Sequence, residues 1–130
     1  MGFFLSKGMS KVSPTSRTLQ LLKKENKLVD IVEKWNSFTQ QRKDVFGFID
    51  IIALDPEKKE TWGIQCTSTG NMNARVKKIL TECRDAALIW LKAGNHIEVI
   101  GWSKTGPAGK RKLWNAKRRT ILLEDFTQPQ

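Results

Sequence analysis

One histidine and two cysteines are all the imidazole and thiolate ligands this chain offers. Structural zinc takes four such ligands, so a zinc site is not expected. Cys66 and Cys83 fall in an expected strand and on an expected helix face. They read as buried free thiols of a reducing, cytoplasmic compartment, not as a disulfide framework. His96 opens a strand after Gly94-Asn95, which leaves Ser/His/Asp catalysis without a well-placed base. No apolar run is long enough to span a bilayer. The apolar start, Met1 to Ser6, is too short and badly flanked for a secretory signal. It formally fits a myristoylation pattern, a short and common one. Neither a Gly-x-x-x-x-Gly-Lys-Ser/Thr loop nor a Gly-x-Gly-x-x-Gly turn is present, which excludes the usual phosphate cradles.

Acids are also scarce. Thirteen Asp and Glu stand against 23 Lys and Arg, a net charge of +10. Such an excess points to a polyanionic partner, most often nucleic acid and less often an acidic membrane surface. The remaining composition, 39% hydrophobic and 28% charged, is that of an ordinary soluble protein. A length of 130 residues fits one domain with one core. Residues 1–12 read as a loose leader, with Met9 as an alternative start; 13–126 form the domain and 127–130 a tail.

Ser13-Pro14 starts a helix that runs to Glu25 with Leu19, Leu21 and Leu22 inward. Residues 27–35 read as a strand because Val29, Ile31 and Trp35 alternate with polar neighbours; a helix continuing to Trp35 is the alternative. Residues 36–43 are a polar, basic loop. Residues 45–54 are a buried strand, Asp55 to Lys59 a turn, and 61–68 its antiparallel partner. Trp62, Ile64 and Cys66 should face one side, Gly63, Gln65 and Thr67 the other. Met72, Val76, Ile79, Leu80, Cys83, Ala87 and Leu91 recur at helical spacing, and Gly94-Asn95 ends that helix. Ile97 to Trp102 and Thr120 to Phe126 are expected strands, joined through a turn around Gly106 to Gly109. The order α-β-β-β-α-β-β predicts an α/β fold with a mixed sheet flanked by helices.

Asp50 is the most informative residue. It is the single charge in the apolar run Val45 to Leu54, and an unpaired buried carboxylate costs several kcal/mol, so it needs a partner, a proton or a metal. Asp50, the Gln65 amide oxygen and the Cys66 backbone carbonyl could hold a hard cation such as Mg²⁺ or Mn²⁺. The plainer reading is that Asp50 pairs with a basic neighbour.

Gly47-Phe48-Ile49-Asp50-Ile51-Ile52-Ala53, a turn, Trp62-Gly63-Ile64-Gln65-Cys66-Thr67 and an amphipathic helix together resemble the PD-(D/E)XK nuclease superfamily. The pattern is most similar to archaeal-type Holliday junction resolvases and VRR-NUC domains, and to small uncharacterised phage proteins, over roughly residues 15–102. The resemblance implies a restriction-endonuclease-like fold and Mg²⁺-dependent cleavage of DNA in the cytoplasm of a bacterium or phage-infected cell. It also implies a homodimer. Asp50 then matches the metal-binding Asp. Gln65 stands where the family has Glu or Asp, and Thr67 where it has Lys. Gln can ligate through its carbonyl but brings no charge, and Thr cannot replace an ammonium beside a phosphate. Thr67 would instead contact metal-bound water or phosphate. Lys78 or Arg75, on the following helix, could supply the missing cation; the alternative is a solvated basic face. Glu33 and Asp44 are candidates for a second carboxylate. For both, a structural role is preferred, for Asp44 a surface ion pair with Arg42 or Lys43.

Basic residues cluster. Ser103 to Arg119 carries Lys104, Lys110, Arg111, Lys112, Lys117, Arg118 and Arg119 and no acid, with Trp102 and Trp114 beside them. Such a stretch binds phosphates in a salt-dependent way, and its aromatics can stack on unpaired bases. The alternative is a solvated hairpin with its tryptophans in the core. Arg42 with Lys43, and Arg75 with Lys77 and Lys78, are further basic groups that could border the same groove. The expectation is a DNA-binding endonuclease, RNA not being excluded as substrate. Its rivals are a binding module of the same fold without cleavage, and a basic structural protein that meets an acidic partner.

Overall fold

A computed structural model describes residues 12–127. The expected leader and tail therefore lie almost wholly outside the described residues. Helix α1, Pro14–Lys24, begins where Ser13 accepts the Ser16 N–H on its hydroxyl and Pro14 takes the first turn. Such a cap contributes about 1 kcal/mol. Lys23 and Lys24 close the last turn, where cations suit the helix dipole. The chain then forms β1 (Leu28–Ile31), a short hairpin of β2 (Lys34–Asn36) and β3 (Gln41–Lys43), and β4 (Ile51–Asp55). β5 (Glu60–Ser68) follows, and helices α2 (Met72–Leu80) and α3 (Arg84–Lys92) cross to β6 (His96–Thr105) and β7 (Leu113–Ile121). A 3₁₀ turn, Leu123–Thr127, closes the described chain.

The sheet is mixed and five-stranded, in the order β1-β4-β5-β6-β7, with only β5 and β6 parallel. The β4–β5 turn is built by Asp55, whose carboxylate accepts the Glu57 and Lys58 N–H groups, and by Lys59 at φ 57°. On one face α1 packs Leu22 against Ile51, Ala53, Ile64, Cys66 and Ile100. On the other, α2 and α3 bury Met72, Val76, Ile79 and Ala87 against Phe48, Ile49, Ile97 and Val99. Strand period 2 thus sorts β5 as expected, with Trp62, Ile64 and Cys66 toward α1. Gly63 lies opposite, its open side against Ile49 and Trp90. Gly101 lets α2 approach β6: a Cβ there would lie 2.5 Å from the Met72 side chain and 3.0 Å from Thr69 Cα.

Among the described residues no helix is long and apolar enough to cross a membrane. Five expected elements differ. The strand expected over residues 27–35 divides, β1 stopping at Ile31 while Lys34–Asn36 pairs with β3 in a separate hairpin. Residues 45–50 form a tight turn, not the start of a strand, with Phe46 at φ 56° and Gly47 at φ 86°. The helix from Met72 to Leu91 breaks at Thr81, whose hydroxyl donates to the Lys77 carbonyl while the Cys83 N–H reaches back to Lys78 O. Side-chain competition for a helix carbonyl favours such a bend. The loop at 36–43 contains the β2–β3 hairpin. The last strand lies at Leu113–Ile121 and not at 120–126, where Asp125 instead accepts the Leu122 N–H and closes a turn.

Candidate acidic site

Asp50 sits just before β4 and is 3% exposed. Its backbone is fixed on both sides, N–H to Ile64 O and carbonyl to Val32 N–H. Its side chain therefore points along the end of β5. There Oδ2 accepts the Gln65 side-chain amide at 2.8 Å and the Cys66 N–H at 2.8 Å. Gln65 is as buried as Asp50, and its Oε1 has no hydrogen-bond partner among the described residues. A strand residue sends its N–H and C=O to the same edge, so the Cys66 carbonyl also faces the Asp50 side.

Glu33 and Asp44 join Asp50. Oxygens of the three carboxylates lie within 4.8 Å of one another. The β2–β3 hairpin brings them there, because Lys34 pairs with Lys43 and the acids flank that pair in sequence. Burial pushes the Asp50 carboxyl up to about 7; the Asp44 carboxyl against it and the Glu33 charge add to this, and the Cys66 N–H opposes it. Glu33 also takes an ion pair from Arg42 at 3.0 Å. The surface ion pair expected for Asp44 with Arg42 or Lys43 does not form among the described residues, because Arg42 is taken by Glu33 and Asp44 turns to Asp50 instead. The Glu33–Arg42 pair exists, and both acids also face Asp50.

Three oxygen acids, a buried amide oxygen with no partner and a strand carbonyl make a donor set that suits a hard divalent cation. The like charges, which raise the Asp50 carboxyl, are what such an ion would relieve. Beside the cluster lies an open cavity of about 370 Å³, lined by Ser13, Thr15 and Ser16 at the start of α1 together with Ile31, Glu33 and Arg42. Its hydroxyls and guanidinium form an anion-receptive wall next to the acids.

Thr67 is buried on the Gln65 face of β5. Burial drives the Cys66 thiol up to about 12, opposed by the Thr18 hydroxyl and reinforced by the Asp50 charge. Lys78 is half-buried on α2. Burial raises the Cys83 thiol, the Lys78 cation lowers it, and Glu82 and Asp44 raise it further. Arg75 is half-buried and Lys77 exposed.

The basic groups divide. Arg42 and Lys43 stand on the hairpin beside the acids, at the β1 edge, whereas β7 is the opposite edge of the sheet. Lys117 and Arg119 line a cavity of about 300 Å³ with Asn73 and Val76 of α2. Arg118 points to the α1 face and is held by Glu98 at 2.6 Å and Glu25 at 2.6 Å. Those carboxylates push its guanidinium further up, and it in turn lowers Glu25. Lys104, Lys110, Arg111 and Lys112 are exposed along the β6–β7 turn. His96 stacks on Trp62 with ring centres 4.7 Å apart and faces Glu60.

One feature had no signal in the linear pattern. Arg17 of α1 lies over the Trp114 ring, 4.0 Å from its centre. Arg17, Lys24, Trp102 and Trp114 line a groove of about 380 Å³. Trp102 donates its indole N–H to the buried Thr18 hydroxyl at 2.9 Å, so it belongs to the core, whereas Trp114 is 44% exposed. Compared with known proteins, the chain matches no family model, no curated protein and no solved structure.

Proposed function

We propose that this chain is a metal-dependent endonuclease of restriction-endonuclease-like fold that acts on DNA. The observation that carries the reading is the convergence of Glu33 and Asp44 on Asp50, beside a buried Gln65 oxygen that has no hydrogen-bond partner among the described residues. Gln65 lacks the charge expected at its position, and the two extra carboxylates restore it. A strand–turn–strand–helix unit feeding a parallel strand, with a helix before it, also suits this fold.

Asp50, Asp44, Glu33 and the Gln65 carbonyl would hold Mg²⁺ or Mn²⁺. Such an ion supplies an activated water and charge neutralisation at a scissile phosphate. The residues have separate tasks. Asp50 is fixed by Gln65 and Cys66, so one of its oxygens stays oriented while the other is free to ligate. Arg42, tethered to Glu33 but largely solvent-facing, can reach a phosphate oxygen without leaving the site. Lys78 or Arg75, half-buried on α2, would stand in for the lysine that Thr67 replaces. Lys117, Arg119 and the β6–β7 turn contribute phosphate contacts at a distance.

The test is incubation of the protein with branched, single-stranded and duplex DNA in Mg²⁺ or Mn²⁺. Cleavage by the wild type but not by Asp50→Ala supports the reading, and equal cleavage by both ends it. Thr67 in place of a lysine favours a second reading, a DNA-binding module that does not cut. Salt-dependent DNA affinity without metal-dependent cleavage would select it.

A further inference from the structure

We infer that the β2–β3 hairpin is a wedge that inserts Phe38 between stacked bases of DNA while the hairpin's root holds a phosphate near the acidic cluster. This rests on the DNA-binding nuclease reading above. Every residue from Lys34 to Lys43 is exposed, and Phe38, at the tip, is 97% exposed. The tip is nevertheless built. Asn36 accepts the Phe38 and Thr39 N–H groups at 2.9 and 3.3 Å, and Gln40 donates its side chain to Ser37 O at 3.1 Å. Gln40 itself takes φ 57° to close the turn. An apolar ring is thus held out in water by a defined turn.

The ribbon also carries a standing cost. Lys34 lies directly opposite Lys43, and like charges in that position destabilise a strand pair. A two-stranded ribbon has little stability of its own to set against this. Trp35, opposite Arg42, adds a second exposed aromatic. A polyanion with apolar slots relieves both features at once: its phosphates neutralise Lys34, Arg42 and Lys43, and a base step receives the ring. Side chains such as Phe unstack DNA steps in this way, and stacking on a base does not depend on its identity.

Geometry links the wedge to the cluster. Glu33 precedes Lys34 and Asp44 follows Lys43, so the hairpin grows out of the candidate metal ligands. At about 3.3 Å per residue, Phe38 reaches on the order of 15 Å beyond Glu33. With base steps about 3.4 Å apart, the ring would engage the stack roughly four steps from the phosphate at the acids.

The experiment uses the full chain in Ca²⁺, to hold back cleavage, with a four-way junction and a duplex carrying 2-aminopurine at successive positions. Wild type is expected to raise the fluorescence at one step or two adjacent steps. Phe38→Ala should abolish the rise and weaken binding roughly 5- to 100-fold, the range of one lost base stack. Phe38→Trp should retain both. The side chain is solvent-exposed, so all three proteins should unfold at the same temperature. Salt-dependent DNA binding with unchanged fluorescence, or a rise that survives Phe38→Ala, overturns the wedge and leaves the nuclease reading standing. Absence of salt-dependent DNA binding, as for a hairpin that docks an acidic protein, overturns both.

Discussion

Gln65 donates its side-chain amide to Asp50 at 2.8 Å, and its own carbonyl oxygen is buried without a partner among the described residues. An unsatisfied buried acceptor costs about 1–3 kcal/mol, and a bound cation would repay that at this atom. Gln65→Glu exchanges the amide for a further carboxylate against Asp50, in addition to Glu33 and Asp44. Without metal the variant should melt lower than wild type, because a hydrogen bond becomes a like-charge contact. With Mg²⁺ it should show the larger rise in melting temperature and at least about tenfold tighter binding, since ligand charge sets affinity at oxygen sites. Thermal melts against Mg²⁺ concentration check both. A metal response no larger than wild type would remove Gln65 from the ligand set.

The raised Asp50 carboxyl makes a pH prediction whose sign is fixed. Its folded value is about 7 against an ordinary 3.8. Between those values the folded state binds the extra proton, so stability falls as pH rises from about 4 to 7 and stays lower above that. At about 1.4 kcal/mol per pKa unit, the contribution amounts to a few kcal/mol. Asp50→Asn should therefore narrow the stability difference between pH 5 and pH 8 relative to wild type in the presence of chelator. It should also abolish stabilisation by Mg²⁺. In wild type, Mg²⁺ binding at pH 7 should release about half a proton, because the carboxyl is then about half protonated, and should weaken below that pH. Denaturant titrations and calorimetry in buffers of different ionisation enthalpy read these effects.

What the linear sequence could and could not reveal follows from the range of each interaction. Asp50 and Gln65 were legible as neighbours because the Asp55 to Lys59 turn sets a register and strand period sorts the faces. Glu33 and Asp44 were named, but nothing local showed that they meet Asp50. That depends on Phe46 and Gly47 taking positive φ and on a hairpin hidden in a polar stretch. The helix break at Thr81 was invisible because the apolar spacing continues through it. β7 was misplaced because an edge strand of cations has no apolar alternation to read; exposed charge there is how an edge avoids pairing with other chains. Arg17 and Trp114 are joined only by tertiary packing.

Gly101 tests the packing that seats α2 over the sheet. In Gly101→Ala the new Cβ would lie 2.5 Å from Met72 Cγ and Sδ and 3.0 Å from Thr69 Cα. The methionine can move but the backbone cannot easily do so. A loss of about 1–3 kcal/mol is expected. Met72→Ala in the same chain should recover less than the whole, because the Thr69 backbone remains. Urea unfolding of the single and double variants measures the coupling. A neutral Gly101→Ala would mean that the start of α2 is not pinned against β6.

Adjacent cations on β7 should separate structural from nucleic-acid roles. Arg118 spans Glu98 and Glu25, and Glu98 is buried. Arg118→Ala leaves that carboxylate without its partner, and breaking a buried pair costs about 3–5 kcal/mol. Arg118 is itself partly exposed, so about 2–3 kcal/mol is the better expectation, since solvent screens the pair. Arg118→Lys should recover little, because one ammonium cannot bridge both acids as the planar fork does. Lys117→Ala, on the opposite face, should leave stability within about 0.5 kcal/mol of wild type, and Arg119→Ala, which gives up a solvent-screened pair with Asp125 at 3.4 Å, within about 1 kcal/mol. Each should lower the slope of log affinity for duplex DNA against log salt by about 0.9 if it contacts a phosphate. Guanidinium unfolding and fluorescence-anisotropy titrations at several salt concentrations distinguish the classes. A stable Arg118→Ala with a reduced salt slope would reassign Arg118 to the DNA surface.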